Sequence, residues 1–318
     1  MKHSAPVLLT ALALGCGAPR AAPTPPGPPP PPPDPSVDDM LGMIPDANAN
    51  VVVVADAETT LASPVGAAML ESFSTAAGID ALQTCDVGIE RWQTTLVSAD
   101  SDVDGAIIIF VRAPNAGTDE TFTCLAGLRT EPETTRTVDT HAQRPRLHVP
   151  EGGARLYSLS DNVVALVGPT WQASYEADAT TPSGGRLEDA IGRLNRSASV
   201  SFVMMPDART KARRPNVEAT VGAFEAADAL AMELAVTYID AATATEESAS
   251  LNAVLDKRSM MLKMLGVPAT VLDAATVVPK GADATLSMTM TEGEVRQLSA
   301  VARNALKLAT TTSQPASN

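Results

Sequence analysis

Apolar residues along this chain fall into short β-branched runs separated by polar turns, and only a few stretches carry a helical repeat. Asn50-Val51-Val52-Val53-Val54-Ala55 is continuous enough to predict a strand buried on both faces. Ser63-Pro64 then supplies an N-cap and a first-turn proline, and Val65, Met69 and Phe73 recur at helical spacing until Gly78. Residues 92–98 alternate weakly and 106–111 form another β-branched run. With the polar turn 99–105 between them, they predict an antiparallel hairpin. Residues 119–128 read as a short helix, and 130–143, rich in Thr, Glu and Arg, as a loop. Three short strands follow at 146–149, 155–159 and 162–167, the last two joined by the tight turn Ser160-Asp161-Asn162. Leu187, Ile191 and Leu194 mark a helix before a strand at 198–205.

The C-terminal third is patterned more strongly. Leu230, Met232, Leu234, Val236 and Tyr238 alternate as a strand. Thr245 is placed to cap a helix that carries Leu251, Val254, Leu255, Leu262 and Leu265 on one face. Residues 272–278 and 284–290 read as strands. Thr291-Glu292-Gly293-Glu294 has the form of a capping box, ahead of a helix bearing Val295, Leu298, Ala302, Ala305 and Leu306. The order strand–strand–helix thus occurs over 217–265 and again over 272–308. The expected class is α+β: mainly antiparallel sheets backed on one face by amphipathic helices, with two loosely repeated units. The expected divisions are 40–208, 209–309 and a disordered tail at 310–318.

The first 39 residues follow a different pattern. Lys2 precedes a short apolar run, Val7 to Gly15, which ends at Cys16. This is the three-part layout of a secretory signal peptide over residues 1–15. The run is shorter than the roughly 20 residues needed to span a bilayer. Residues 16–39 hold a dense proline tract, Pro28 to Pro33 among it. Such a tract favours polyproline II and cannot enter a helix or sheet core, so it reads as a semi-rigid stalk.

Composition adds three constraints. The formal net charge is -14, and removal of Lys2 with the signal makes it -15. An acidic surface with 3% aromatic residues argues against nucleic acid as a partner. Apolar content of 45%, much of it Ala and Val, predicts a core of small side chains. Beyond Cys16 the cysteines are Cys85 and Cys124. In an oxidising compartment an even pair is the pattern of a disulfide, the alternative being two separate buried thiols.

Chemical motifs are sparse. Asp100-x-Asp102-x-Asp104-Gly105 opens like an EF-hand calcium loop, but Val111 occupies the twelfth position, where a bidentate carboxylate belongs. It reads more simply as an acidic hairpin turn. His141 and His148 lie in no recognisable catalytic spacing, and no nucleophile elbow, zinc-protease or phosphate-loop pattern occurs. Lys211-Ala212-Arg213-Arg214 reads as a solvated basic loop. Met260, Met261 and Met264 read as core gap-fillers.

Ala13-Leu14-Gly15-Cys16 resembles the lipobox of bacterial lipoproteins, with Ala13 where that family usually carries Leu. The resemblance implies a diacylglycerol on the Cys16 sulfur, an acylated amino group and, since Gly17 rather than Asp follows, the outer membrane. Ordinary cleavage near Ala18 or Ala22 is the alternative. The stalk, Ile44-Pro45-Asp46-Ala47 before a Val-rich strand, Ser63-Pro64 and the Cys85/Cys124 pair make the layout similar to myxobacterial-type lipoproteins, a likeness that implies no activity. The expected function is therefore a membrane-anchored lipoprotein, non-enzymatic, binding an envelope protein or supporting the envelope. Two alternatives stand beside it. One is a hydrolase built around His141 or His148. The other is a small-ligand module with an apolar cavity lined by Met, Leu and Val. No cofactor is implied, and the lipid bilayer is the partner that Cys16 would engage.

Overall fold

The computed structural model describes residues 33–44, 49–67, 83–128, 137–142, 144–148, 153–177 and 186–300. The expected signal peptide, Cys16 and most of the stalk lie outside these residues, as do Met69, Phe73, Gly78, most of the 130–143 loop and the tail from 301 onward. Among the described residues the strands are β1 (Val51–Asp56), β2 (Thr94–Ala99), β3 (Ile107–Arg112), β4 (Thr137–His141), β5 (Arg144–His148), β6 (Arg155–Ser158), β7 (Val163–Val167), β8 (Val200–Met204), β9 (Val217–Ala226), β10 (Ala229–Tyr238), β11 (Thr276–Lys280) and β12 (Asp283–Thr291). They make one sheet in the order β11-β12-β10-β9-β8-β1-β2-β3-β7-β6-β5-β4, every neighbouring pair antiparallel. The α+β class holds, built on a single continuous sheet. The division expected between residues 208 and 209 falls between β8 and β9, which are paired neighbours in that sheet.

Helices are α1 (Val37–Gly42), α2 (Ala57–Ala62), α3 (Asp119–Gly127), α4 (Gln172–Glu176), α5 (Arg186–Ile191), α6 (Ala208–Arg213), α7 (Ala241–Met264) and α8 (Ala269–Ala274), with residues 292–300 also helical. They cover both faces of the sheet, not one. Val163, Ala165 and Val167 of β7 pack with Met40, Trp171 and Leu187 of the helical layer on one side, together with Val52, Leu96 and Phe110. Val164, between them in sequence, packs on the other side with Phe122 and Leu125 of α3. Alternate strand residues point to opposite faces, so a β-branched strand with no polar break requires exactly such double cover. β1 is less enclosed than its run of valines suggests. Val52 and Val54 are buried, while Val51 and Val53 are half-buried.

In the C-terminal half the helices gather on one face. Ala244, Leu251 and Leu255 of α7 meet Tyr238, Val277 and Ala284. Val271 of α8 and Val295 of the 292–300 helix meet Leu230 and Met290. The opposite face of β9, β10 and β12 is an open polar groove of about 570 Å³ that includes Glu225, Glu233, Ser287 and Thr289.

Local chemistry explains most boundaries and several departures from expectation. Ser63 Oγ accepts from the Gly66 amide, as the Ser63-Pro64 pair predicts, but the unexpected α2 precedes it, capped by Asp56. Thr291 and Glu294 form the reciprocal capping box. The long helix α7 starts earlier than expected: Asp240 caps it through the Thr243 amide, and Thr245 is interior, its hydroxyl donating to the Ala241 carbonyl. Of the strand expected over 272–278, residues 276–278 are extended in β11, but 272–274 close the helix α8, because Pro268 begins a turn that seats Val271 in the core. Residues 137–141, assigned to a loop, form the edge strand β4, whose Thr and Val suit extended backbone. Lys211 and Arg213 sit on α6, not in a loop. The fold also begins before Met40, since Ser36 and Asp39 cap α1 reciprocally.

Candidate functional site

The acidic turn joins β2 to β3. Asp100 Oδ1 accepts from the Asp102 amide at 2.9 Å. The Asp102 carboxylate reaches across to the Ala208 amide at 3.0 and 3.2 Å, capping the start of α6. Asp104 contributes its carbonyl to Thr170 Oγ1 at 2.7 Å, and Gly105 closes the turn at φ 72°. Only glycine takes that left-handed backbone without strain. The Asp102 carboxylate and the Asp104 carbonyl thus tie the hairpin to its neighbours, while the Asp100 carboxylate braces the turn itself. Among the described residues no three His, Cys, Asp or Glu side chains converge as a metal-ligand set.

The two histidines belong to a polar network at the far end of the sheet. Strand alternation places Asp139, Arg146, His148, Arg155 and Tyr157 on one face, opposite Leu147 and Leu156. The Arg146 fork holds Asp139 through Nε–Oδ1 at 2.7 Å and Nη2–Oδ2 at 2.5 Å. Glu176 of α4 accepts from Arg146, Arg155 and the Tyr157 hydroxyl at 2.6, 2.6 and 2.7 Å. Arg146 thus keeps the Asp139 carboxyl well below the usual range. Burial would raise Glu176, but the Tyr157 and Arg155 hydrogen bonds prevail and lower it. Burial first, then the bond to Glu176, pushes Tyr157 up to about 12.

His148 Nε2 lies 3.2 Å from Asp139 Oδ2, and His141 packs edge-on against the Tyr157 ring. Among the described residues neither histidine hydrogen-bonds a serine, threonine or cysteine, and the aspartate beside His148 is already occupied by Arg146. Two arginines against two carboxylates make a self-compensated strut joining β4, β5, β6 and α4. The arrangement lacks the nucleophile–base–orienter chain that hydrolysis needs. Alternation in Arg146-Leu147-His148 and Arg155-Leu156-Tyr157 was the sequence signal for this face. Its partner Glu176 comes from a helix about 20 residues away, which no local pattern announces.

The concave site is apolar. Ile109, Val111, Leu147, Leu156, Val164 and Leu166 floor a cleft of about 280 Å³ on the opposite face of the same strands. Val87, Trp92, Ala113, Ala116 and Leu125 wall it. Cys85 and Cys124 are joined by a disulfide with Cα atoms 5.6 Å apart. It ties the segment carrying Val87 to α3, which carries Leu125, so it braces two walls of the cleft. The Trp92 indole N–H donates to the Val87 carbonyl at 3.0 Å, fixing a third. A lining of apolar side chains whose one polar group, the Trp92 N–H, is already bonded to Val87 disfavours water and accepts hydrocarbon. The lining is Val, Leu, Ile, Ala and Trp, without the methionines the sequence suggested.

The end of the proline-rich segment is fastened to the β6–β7 turn and to β3. Asp34 accepts from Ser160 Oγ at 2.5 Å and from Asn162 Nδ2 at 3.0 Å, and the Pro35 carbonyl accepts from Arg112. The Ser160 hydrogen bond keeps the Asp34 carboxyl below its ordinary range. Ser160 and Asn162 are the turn between β6 and β7, read in the sequence as a simple reversal. Here that turn is the foothold of the chain leading back to Cys16.

Compared with known proteins, the chain matches no family, no curated protein and no solved structure.

Proposed function

We propose that this protein is an exported lipoprotein, held in the bacterial envelope by acylated Cys16, that acts by binding and not by catalysis. The observation that carries the reading is Cys16 at the end of a short apolar run, followed at once by a proline tract. The Cys85–Cys124 disulfide suits an oxidising compartment outside the cytoplasm. Gly17 after the cysteine favours the outer membrane. An envelope protein is the natural macromolecular partner of a domain carried on such a stalk. Labelled palmitate fed to cells expressing the chain should appear on the wild type and vanish from Cys16→Ala, with the variant leaving the detergent phase. Equal labelling of both, or of neither, would overturn the anchor.

The apolar cleft favours a second reading, a small-ligand module for hydrocarbon chains. Trp92 lines the cleft, while Trp171 is buried on the other face. Decanoic acid should therefore change Trp92 emission saturably in the wild type. Leu166→Trp, which fills the cleft, should remove saturation even with its own emission subtracted. An unsaturable response in the wild type would exclude this reading.

A further inference from the structure

The methionines expected in the core are on the surface. Met260, Met264 and Leu265 are 74%, 77% and 60% exposed, and Met261 and Val254 are each 45% exposed. They lie on the outer side of α7, because its inner side is filled by Ala244, Ser248, Leu251 and Leu255 against the sheet. Lys257 and Arg258 lie among them, exposed, and none of the ion pairs among the described residues uses either. The last third of the helix is thus apolar and cationic on a chain whose formal net charge is -14. A surface that combines exposed Met and Leu with local positive charge is matched by an interface with an apolar interior and an anionic rim. Phospholipid bilayers have that layering.

We infer that the outer side of α7 docks on an anionic phospholipid surface, giving the protein a second, non-covalent membrane contact. This rests on the anchored reading only in that the anchor holds the helix near the bilayer. The reach is sufficient. From Asp34, at the β6–β7 turn, to β12 under α7 is about seven strand spacings, roughly 35 Å. The 18 residues from Cys16 to Asp34 extend to roughly 55 Å at the rise of a polyproline chain.

The test uses the full chain with Cys16→Ser, so that no acyl chain contributes, and sediments it with vesicles of phosphatidylglycerol and phosphatidylcholine, or of phosphatidylcholine alone. Binding to the anionic vesicles should weaken by at least roughly tenfold in Lys257→Glu/Arg258→Glu, since each interfacial cation is worth about fivefold. It should weaken comparably in Met260→Ser/Met264→Ser, and the difference from phosphatidylcholine should shrink in high salt. The apolar signal run is common to every arm, so only differences between variants are read. All four positions are exposed, and retained circular dichroism verifies folding. Unchanged anionic-vesicle binding in both variants would overturn the inference. So would variants that lose only self-association on sedimentation, which would reassign the surface to a contact between copies. Palmitate labelling of Cys16 is measured separately, so the anchor can fail while α7 still binds, or the reverse.

Discussion

At the scale of single residues, Asn252 shows how one side chain substitutes for a strand. Its Nδ2 donates to the Val277 carbonyl at 2.8 Å, and its Oδ1 accepts from the Val277 amide at 2.9 Å. β11 is the last strand of the sheet, so these backbone groups would otherwise lack a partner or template another chain. Asn252→Ala should cost about 1–3 kcal/mol in urea unfolding, because both groups lose their bonds while still partly shielded. Tyr157 gives a second residue-scale expectation. Its folded value is pushed up to about 12 against about 10 in the unfolded chain. The unfolded state then binds fewer protons between those values, so this contribution is complete below pH 10 and disappears as pH rises toward 12. Melting temperature should fall across that window more steeply in the wild type than in Tyr157→Phe. The strand alternation around Tyr157 was visible in the sequence. The burial that mainly shifts it and the Glu176 bond that adds to it were not, because both arrive through tertiary packing.

At the scale of elements, the disulfide and α3 act together. Thr118 caps α3, and Phe122 and Leu125 anchor it on the sheet, so its existence and limits were legible in sequence. What lies beneath it was not. The cleft arises where alternate residues of β3, β5, β6 and β7 meet under a helix braced by Cys85–Cys124. A chain-entropy treatment of a loop of about 40 residues assigns the bond about 4 kcal/mol. Cys85→Ala/Cys124→Ala should therefore lower urea-unfolding stability by an amount of that order, and the cleft wall should exchange amide hydrogens faster. Helix α7 teaches the opposite lesson. Its apolar residues were all assigned to one buried face, but Ala244, Leu251 and Leu255 make the contact with the sheet, and Val254, Leu265 and the methionines face outward. Hydrophobic periodicity identifies a helix without saying which of two apolar stripes the rest of the fold will cover.

At the scale of the whole molecule, several carboxylates act in the same direction on pH stability. Asp34, Asp139 and Glu176 are all held below their ordinary ranges by hydrogen bonds or arginines. Their contributions are complete above about pH 4.5, where the unfolded chain is also ionised, and are lost as pH falls through the folded values. Acid unfolding should set in below that point, and Glu176→Gln should shift it less than Glu176→Gln/Asp139→Asn, because Asp139 still holds Arg146 in the single variant. A midpoint indifferent to all three positions would show that these contacts contribute nothing to the acid limb. The sequence alone determined the apolar run that ends at Cys16, the proline tract after it, the β-branched strands, the hairpin turn and the Thr291–Glu294 capping box, because each depends on residues close together in the chain. Tertiary structure decided the joining of all strands in one sheet and the burial of both faces around β7. It also decided the pairing of Cys85 with Cys124, the Glu176 strut, the foothold at Asp34 and the exposed side of α7. Those depend on which surfaces meet after long excursions of chain, and local pattern carries no record of the meeting.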